Sequence, residues 1–293
     1  MSFRAKRTTS FRKTSMTPRQ GLFIQESGRP DGRPLVFFHG FPGSHRQSAF
    51  LDRYVDQFDL RILSVDRPGY GYSAPLAGGL KGFLGSLACE LNQRGIERFF
   101  LLGVSGGNPA ALCSAGFFGD RVLAVGSVCG MAPFPELKDA FFDFQRRGFK
   151  LVRWTPEPFL RHTIDRLLDS FDPKERMNYL IRCVDERDRE VLQRPDVYAV
   201  LIQSIELARR QGSAGIVFDL KTFSRSWPLK WEDIRAPYHL WHGERDLILS
   251  PDMSRYMHSR VAHAKLRMFP NEGHYSLPVD QTETILSDLF ASF

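Results

Sequence analysis

The segment Gly103-Val104-Ser105-Gly106-Gly107 constrains the fold of this chain most, because it joins an apolar run to a helix-forming run. Phe99 to Leu102 predict a buried strand before it, and residues 108–113 predict a helix after it. A serine in such a turn takes a strained backbone conformation that presents its hydroxyl at the strand tip, while the flanking glycines let helix and strand pass closely. Ser105 is therefore the predicted nucleophile.

A second element lies upstream, where Pro34 to Phe38 predict a buried strand that ends at His39-Gly40-Phe41-Pro42. A loop leaving the strand at this point can aim the backbone N–H of Phe41 at an oxyanion, and the N–H of Gly106 supplies a second donor. His39 is predicted to be structural and to set the conformation of this loop.

Two further strands, each followed by a polar loop, lie downstream. Asp246 follows the strand that begins at Tyr238, and His274 follows the strand Lys265 to Phe269. Sites in open α/β sheets form at the carboxyl ends of the strands, so we expect both side chains at the edge where Ser105 emerges. Glu244 and Glu136 are the alternative acids.

These motifs, together with the Asp66-Arg67-Pro68-Gly69-Tyr70-Gly71-Tyr72-Ser73 turn, resemble the α/β-hydrolase superfamily and its cap-bearing serine hydrolases over nearly the whole chain. The resemblance implies a nucleophile elbow, an oxyanion hole and a catalytic triad of Ser105, Asp246 and His274. It favours Asp246 over Glu244, keeps Glu136 as a less favoured alternative because some family members carry the acid near that position, and gives Asp66 the role of organising a turn.

The order of predicted elements indicates an α/β fold with a mostly parallel central sheet and helices on both faces. Helical patterns fill residues 133–230, far more than a parallel crossover needs. We predict an α/β-hydrolase core domain of residues 1–132 and 231–293 and a helical cap domain of residues 133–230. The cap is aromatic, which indicates an apolar acyl or aryl pocket or simple packing against the core; its aromatic residues are Phe141, Phe142, Phe144, Phe149, Trp154, Phe159 and Phe171.

The net charge of +7 does not indicate a nucleic-acid partner, because the excess is confined to the start of the chain. Residues 1–25 hold six basic residues and no acid, and basic and acidic residues nearly balance in the rest.

No run predicts a secretory signal or a membrane span. We predict a cytoplasmic protein, an opening hairpin of Phe11 to Met16 with Gly21 to Gln25, and four buried thiols without disulfides; these are Cys89, Cys113, Cys129 and Cys183.

The predicted chemistry needs no cofactor and no metal. His239 and His242 fall on opposite faces of a strand, His258 and His263 are spaced so that a helix would not place them on one face, and no H-E-x-x-H or paired-cysteine pattern occurs. The expected partner is a small-molecule substrate; the oligomeric state stays open.

The leading hypothesis is a serine esterase that cleaves a small or medium carboxylic ester, thioester or lactone. A carbon–carbon bond hydrolase acting on diketones would use the same triad, and a ligand-binding receptor without turnover would share the fold. The resemblance weakens two other activities. Epoxide hydrolases carry aspartate where this chain has Ser105, and proline iminopeptidases typically carry tryptophan where it has Gly106.

Overall fold

A seven-stranded sheet forms the centre of the protein, seen in a computed structural model that describes residues 21–170 and 172–291. Its strands are β1 (Phe23–Gly28), β2 (Arg33–Phe38), β3 (Leu60–Asp66), β4 (Phe99–Val104), β5 (Val122–Val128), β6 (Tyr238–Gly243) and β7 (Lys265–Phe269). They lie in the order β1-β3-β2-β4-β5-β6-β7, with β1 antiparallel to β3 and the other pairings parallel. The predicted mostly parallel sheet is confirmed.

Helices cover both faces of the sheet, which explains why β4 is apolar along its length rather than alternating. Helices α2, α3 and α10 pack on one face, and α12 with residues 45–58 packs on the other. The helices are α1 (Val55–Phe58), α2 (Gly79–Gln93), α3 (Asn108–Phe118), α4 (Asp143–Trp154), α5 (Glu157–Asp169), α6 (Pro173–Cys183), α7 (Glu186–Leu192), α8 (Pro195–Ala208), α9 (Ala214–Phe223), α10 (Asp252–Arg260), α11 (Ser276–Asp280) and α12 (Thr282–Phe290).

Six helices, α4 to α9, lie between β5 and β6, and we call them the inserted helices. Their starts follow the sequence signals, since α5 and α6 begin with Pro158 and Pro173 in the first turn, where a missing N–H costs nothing. Gly212, with a φ of 64°, separates α8 from α9. The division of the chain into a core domain and a cap domain at 133 and 230 stays a prediction.

The aromatic residues of this region fall into two groups. Phe141 and Phe149 are buried in edge-to-face contact with Phe134, whereas the others that the structure describes are exposed: Phe142, Phe144, Trp154 and Phe159. Packing against the core therefore accounts for only part of the set. Phe171 lies outside the described residues.

Two sequence predictions about cysteines are wrong, since Cys89 and Cys183 are exposed. Cys89 lies on α2 opposite the buried face that carries Leu84, Leu87 and Leu91, so helical geometry turns it to solvent. All four thiols are free.

The start of the chain is described only in part. Of the predicted hairpin, Phe11 to Met16 lie outside the described residues, and the second arm overlaps β1. No helix within residues 21–170 and 172–291 combines the length and the apolar character needed to cross a bilayer.

Candidate active site

Ser105 lies in the turn between β4 and α3, with a φ of 53° that is rare for a residue with a side chain. β4 and α3 pass so closely that a Cβ at Gly103 would lie 2.8 Å from the Cβ of Ala111, and the turn lies so close to the end of β2 that a Cβ at Gly107 would lie 2.3 Å from the carbonyl oxygen of Phe38. The two glycines therefore allow the approach that holds Ser105 in its strained conformation.

A continuous hydrogen-bonded line joins the three predicted catalytic side chains. His274 Nε2 lies 2.9 Å from Ser105 Oγ, and His274 Nδ1 lies 2.7 Å from Asp246 Oδ2. All three side chains are at least nine-tenths buried. Asp246 Oδ1 also accepts the backbone N–H groups of Ile248 and Leu249, each at 2.8 Å, so the carboxylate is fixed in orientation.

The electrostatics of this line stabilise an ionised acid beside a basic imidazole. Burial opposes ionisation of Asp246, but His274 and the hydrogen bonds from His242 and His274 outweigh it and lower the pKa of the carboxyl. Burial also opposes protonation of His274, but the Asp246 carboxylate, with a contribution from Asp188, raises the pKa of the imidazole above its ordinary value.

The alternative acids lie elsewhere. Glu244 is exposed and faces Arg255 at 3.6 Å. Glu136 accepts hydrogen bonds from Trp231 Nε1 at 3.2 Å and from the Tyr256 hydroxyl at 2.6 Å. The structure thus brings Asp246, rather than either glutamate, to His274.

One group of potential metal ligands occurs among the described residues, formed by Cys129, Asp246 and His274 with ligand atoms within 4.8 Å of one another. Asp246 and His274 bond to each other. Burial, reinforced by the Asp246 charge, raises the pKa of the Cys129 thiol well above its ordinary value. A metal ion would bind Cys129 as a thiolate, and the raised pKa disfavours that form. Asp246 and His274 are therefore better explained as partners in a hydrogen bond than as metal ligands.

The loop after β2 brings the backbone amide of Phe41 close to Gly106, the residue that follows Ser105. A Cβ at Gly106 would lie 3.3 Å from the Phe41 nitrogen, so the predicted oxyanion donors, Phe41 and Gly106, are neighbours. Within the described part of the chain neither amide donates to a protein acceptor. The adjacent Gly40 amide is instead held by Gln47 Oε1 at 2.7 Å, a contact that the sequence did not predict.

A buried ion pair fixes the loop that follows β2. Arg67 donates to Asp219 of α9, through Nε at 3.0 Å and Nη2 at 2.5 Å, and also to the carbonyl oxygen of His39. His39 Nδ1 lies 2.8 Å from the Gly40 carbonyl oxygen, and burial, with a contribution from Arg67, lowers the pKa of its imidazole well below the ordinary value. These contacts agree with a structural role for His39.

Asp66 fixes the neighbouring turn. Its carboxylate accepts the backbone N–H of His45 at 2.7 Å and that of Tyr72 at 3.1 Å, and it lies 2.9 Å from His45 Nδ1.

Asp188, a residue of the inserted helices, lies under the His274 loop. Its carboxylate accepts the backbone N–H groups of His274, Tyr275 and Ser276 at 2.8, 2.9 and 2.8 Å, and the side chain is fully buried. The sequence prediction missed Asp188, since nothing near it in the chain marks it.

Two apolar cavities meet at Ser105 and share Phe41. The inner cavity, of about 140 Å³, is lined only by buried or half-buried residues, among them Val128, Leu201 and Ile205. The outer cleft, of about 380 Å³, runs along α4 to Phe144, whose side chain is 74% exposed. The nucleophile therefore lies between a compartment whose lining is buried or half-buried and one whose lining reaches an exposed side chain.

The chain belongs to the alpha/beta hydrolase fold family, whose sequence model matches residues 33–281. The probable proline iminopeptidase of Leptolyngbya boryana is 30% identical over 108 residues, which cover 36% of this chain and 33% of that protein. The bifunctional epoxide hydrolase 2 of Sus scrofa is 24% identical over 279 residues, which cover 84% of this chain and 48% of that protein. The chain thus spans a third to about half of the length of these relatives.

Among solved structures, an esterase from Exiguobacterium antarcticum superposes with a TM-score of 0.67 at 18% identity, covering 92% of this chain and 94% of its own. This likeness concerns the fold. It agrees with the family assignment predicted from the sequence motifs.

Proposed function

We propose that this protein is a serine hydrolase that cleaves a small or medium carboxylic ester, thioester or lactone through an acyl-enzyme. The observation that carries the proposal is the line of hydrogen bonds from Ser105 Oγ through His274 to Asp246 at the junction of two apolar cavities. Geometry and charge both suit this chemistry, because a neutral imidazole accepts the serine proton and the carboxylate stabilises the imidazolium that forms.

The reaction proceeds in two halves. Ser105 Oγ attacks the carbonyl carbon while its proton passes to His274 Nε2, and the Phe41 and Gly106 amides donate to the tetrahedral oxyanion. His274 then returns the proton to the departing alcohol, thiol or lactone oxygen. Water then attacks the acyl carbon and gives a proton to His274 Nε2. His274 passes that proton to Ser105 Oγ as the bond between Oγ and the acyl carbon breaks, which releases the acid and restores the free serine.

The two compartments divide the substrate between them. The inner cavity takes the acyl group, since it is apolar and lined only by buried or half-buried residues, and the outer cleft takes the leaving group, since its lining reaches the exposed Phe144. We propose residues 133–230 as the cap, because α6 and α8 supply Met177 and Leu201 to the inner cavity and α4 lines the outer cleft.

Labelling with a fluorophosphonate probe tests the proposal. Wild-type protein should lose activity on aryl esters as Ser105 becomes phosphonylated, and Ser105→Ala should neither label nor turn over, with kcat lower by about 10⁴-fold or more. Circular dichroism and the unfolding midpoint of Ser105→Ala serve as the folding control. Failure of the wild type to label would overturn the proposal.

The same experiment separates the alternatives. If the enzyme reacts with the fluorophosphonate probe and turns over diketones but not esters, carbon–carbon bond cleavage is the activity. A single stoichiometric burst without steady-state turnover would point to a binding protein on the same fold.

A further inference from the structure

Helix α4 exposes an apolar stripe to solvent. Phe144, Leu151 and Trp154 are 74%, 71% and 81% exposed, and Phe159 at the start of α5 is 65% exposed. On a helix of 3.6 residues per turn the three α4 side chains fall within an arc of about 80° and span about 15 Å along the axis. The opposite face of α4 is anchored by Phe149 and Val152, which are buried. Helix α4 therefore has two apolar sides. One packs against the rest of the protein, and the other is exposed to solvent.

Basic residues border this stripe. Arg147 and Lys150 lie on the same side of α4 and are exposed, and within the described residues neither forms an ion pair. Arg153, also exposed, lies with its guanidinium 5.6 Å from the Trp154 ring centre. Exposed apolar and aromatic side chains beside unpaired cations characterise helices that lie in the interface of an anionic bilayer.

The stripe adjoins the mouth of the outer cleft. Phe144, Gln145 and Gly148 line that cleft, which reaches Ser105. A surface that contacted the stripe would therefore face the opening through which substrate and leaving group pass.

We propose that the exposed face of α4, formed by Phe144, Arg147, Lys150, Leu151 and Trp154, docks on a membrane containing anionic phospholipid. The apolar side chains insert at the level of the headgroups and the basic ones contact lipid phosphates. Two other occupants fit less well. A second copy of the chain on a two-fold axis would place the same cations against each other. The other occupant, residues 1–20 of this chain, carries six basic residues and no acid, so the cations beside the stripe would repel it.

The tryptophans provide a direct assay, because Trp227, Trp231 and Trp241 are buried and Trp154 is exposed. Vesicles made of equal parts phosphatidylcholine and phosphatidylglycerol should shift the emission of the full chain to shorter wavelength, and phosphatidylcholine vesicles should shift it little. The Trp154→Phe variant should still sediment with the anionic vesicles but lose the shift. The Ser105→Ala variant should bind like wild type, so docking and hydrolysis are tested separately.

Substitutions in the stripe measure its contribution. Leu151→Ser with Trp154→Ser should weaken sedimentation with anionic vesicles by at least about tenfold, which is 1.4 kcal/mol. Lys150→Gln should weaken it about fivefold, and added salt should weaken wild-type binding further. Phe117→Ser is the matched control: Phe117 is 55% exposed in the last turn of α3, at the sheet edge opposite Ser105, and its loss should leave binding unchanged.

Three results would overturn the proposal. One is failure of the wild type to sediment with anionic vesicles, and another is binding that Leu151→Ser with Trp154→Ser does not weaken. The third is a dimer in solution, seen by light scattering, that the same pair of substitutions dissociates, since it would identify a second copy as the occupant of the stripe.

Discussion

The Asp188 carboxylate accepts a 2.8 Å hydrogen bond from the backbone N–H of His274, although the two residues lie 86 positions apart. It also accepts the next two amides along the chain, so one side chain of the inserted helices holds the whole turn that carries the imidazole. The position of the proposed general base therefore depends on helix α7 as well as on the sheet.

Asp188→Asn should both loosen this turn and change the basicity of His274. The Asp188 charge contributes to raising the pKa of His274, so its removal lowers that pKa. Because a general base acts when neutral, kcat/KM rises as pH rises through this pKa, and the acid limb of the profile should move to lower pH in the variant. We expect kcat to fall as well, by up to about 100-fold, since an ångström of misplacement has that effect.

The pH profile of ester hydrolysis measures this, with Glu186→Gln as control. Glu186 is exposed two residues away on the same helix and should leave the profile unchanged. A lower kcat with an unmoved acid limb would show that Asp188 acts through packing alone.

Asp246→Asn should abolish most activity while the fold persists. An amide cannot stabilise the imidazolium and holds His274 in the wrong tautomer, an effect of about 10⁴-fold on kcat in serine proteases. Glu244→Gln, two residues away and exposed, is the matched control and should retain wild-type kcat. Steady-state kinetics on an aryl ester distinguish the two acids, and a loss in Glu244→Gln with retention in Asp246→Asn would reverse the assignment.

Local sequence was sufficient for the parts of the site that depend on strand ends. Ser105 and Asp246 follow buried strands, and His274 follows the partly exposed strand β7. Parallel strands that end at one edge place the following loops together. The strands β4, β6 and β7 begin at Phe99, Tyr238 and Lys265, the residues at which the sequence predicts them to begin. Chain order and turn chemistry carried this information.

The remaining contacts depend on tertiary packing. Asp188 and Asp219 are acids on helices of ordinary composition, and only the approach of α7 and α9 to the sheet gives them partners at His274 and Arg67. Cys89 was misplaced for a related reason, because its neighbours in the sequence are apolar while its own direction on α2 is outward. Such assignments need the three-dimensional direction of each side chain.

Asp219→Asn should destabilise the protein strongly. It leaves the guanidinium of Arg67 buried without a counter-charge, which costs about 3–5 kcal/mol in comparable buried pairs. Urea unfolding measures the change, with Asp252→Asn as control. Asp252 pairs with Arg255 on the surface, and its loss should change the free energy of unfolding by less than about 1 kcal/mol. Equal, small changes in both variants would contradict the importance of the buried pair.

The division of substrate between the two cavities predicts opposite effects of enlarging a side chain in each. Leu201→Phe fills part of the inner cavity. The ratio of kcat/KM for esters of long acyl chains to kcat/KM for acetate esters should therefore fall at least about tenfold, because a methylene group in an apolar pocket is worth about 1–3 kcal/mol. Val152→Phe narrows the outer cleft and should instead discriminate against bulky alcohols at constant acyl length. Matched series of p-nitrophenyl and alkyl esters measure both effects, with unfolding midpoints recorded because added volume strains a packed core. If Val152→Phe were the variant that shortened the accepted acyl chain, the acyl group would occupy the outer cleft and the assignment of the two compartments would be exchanged.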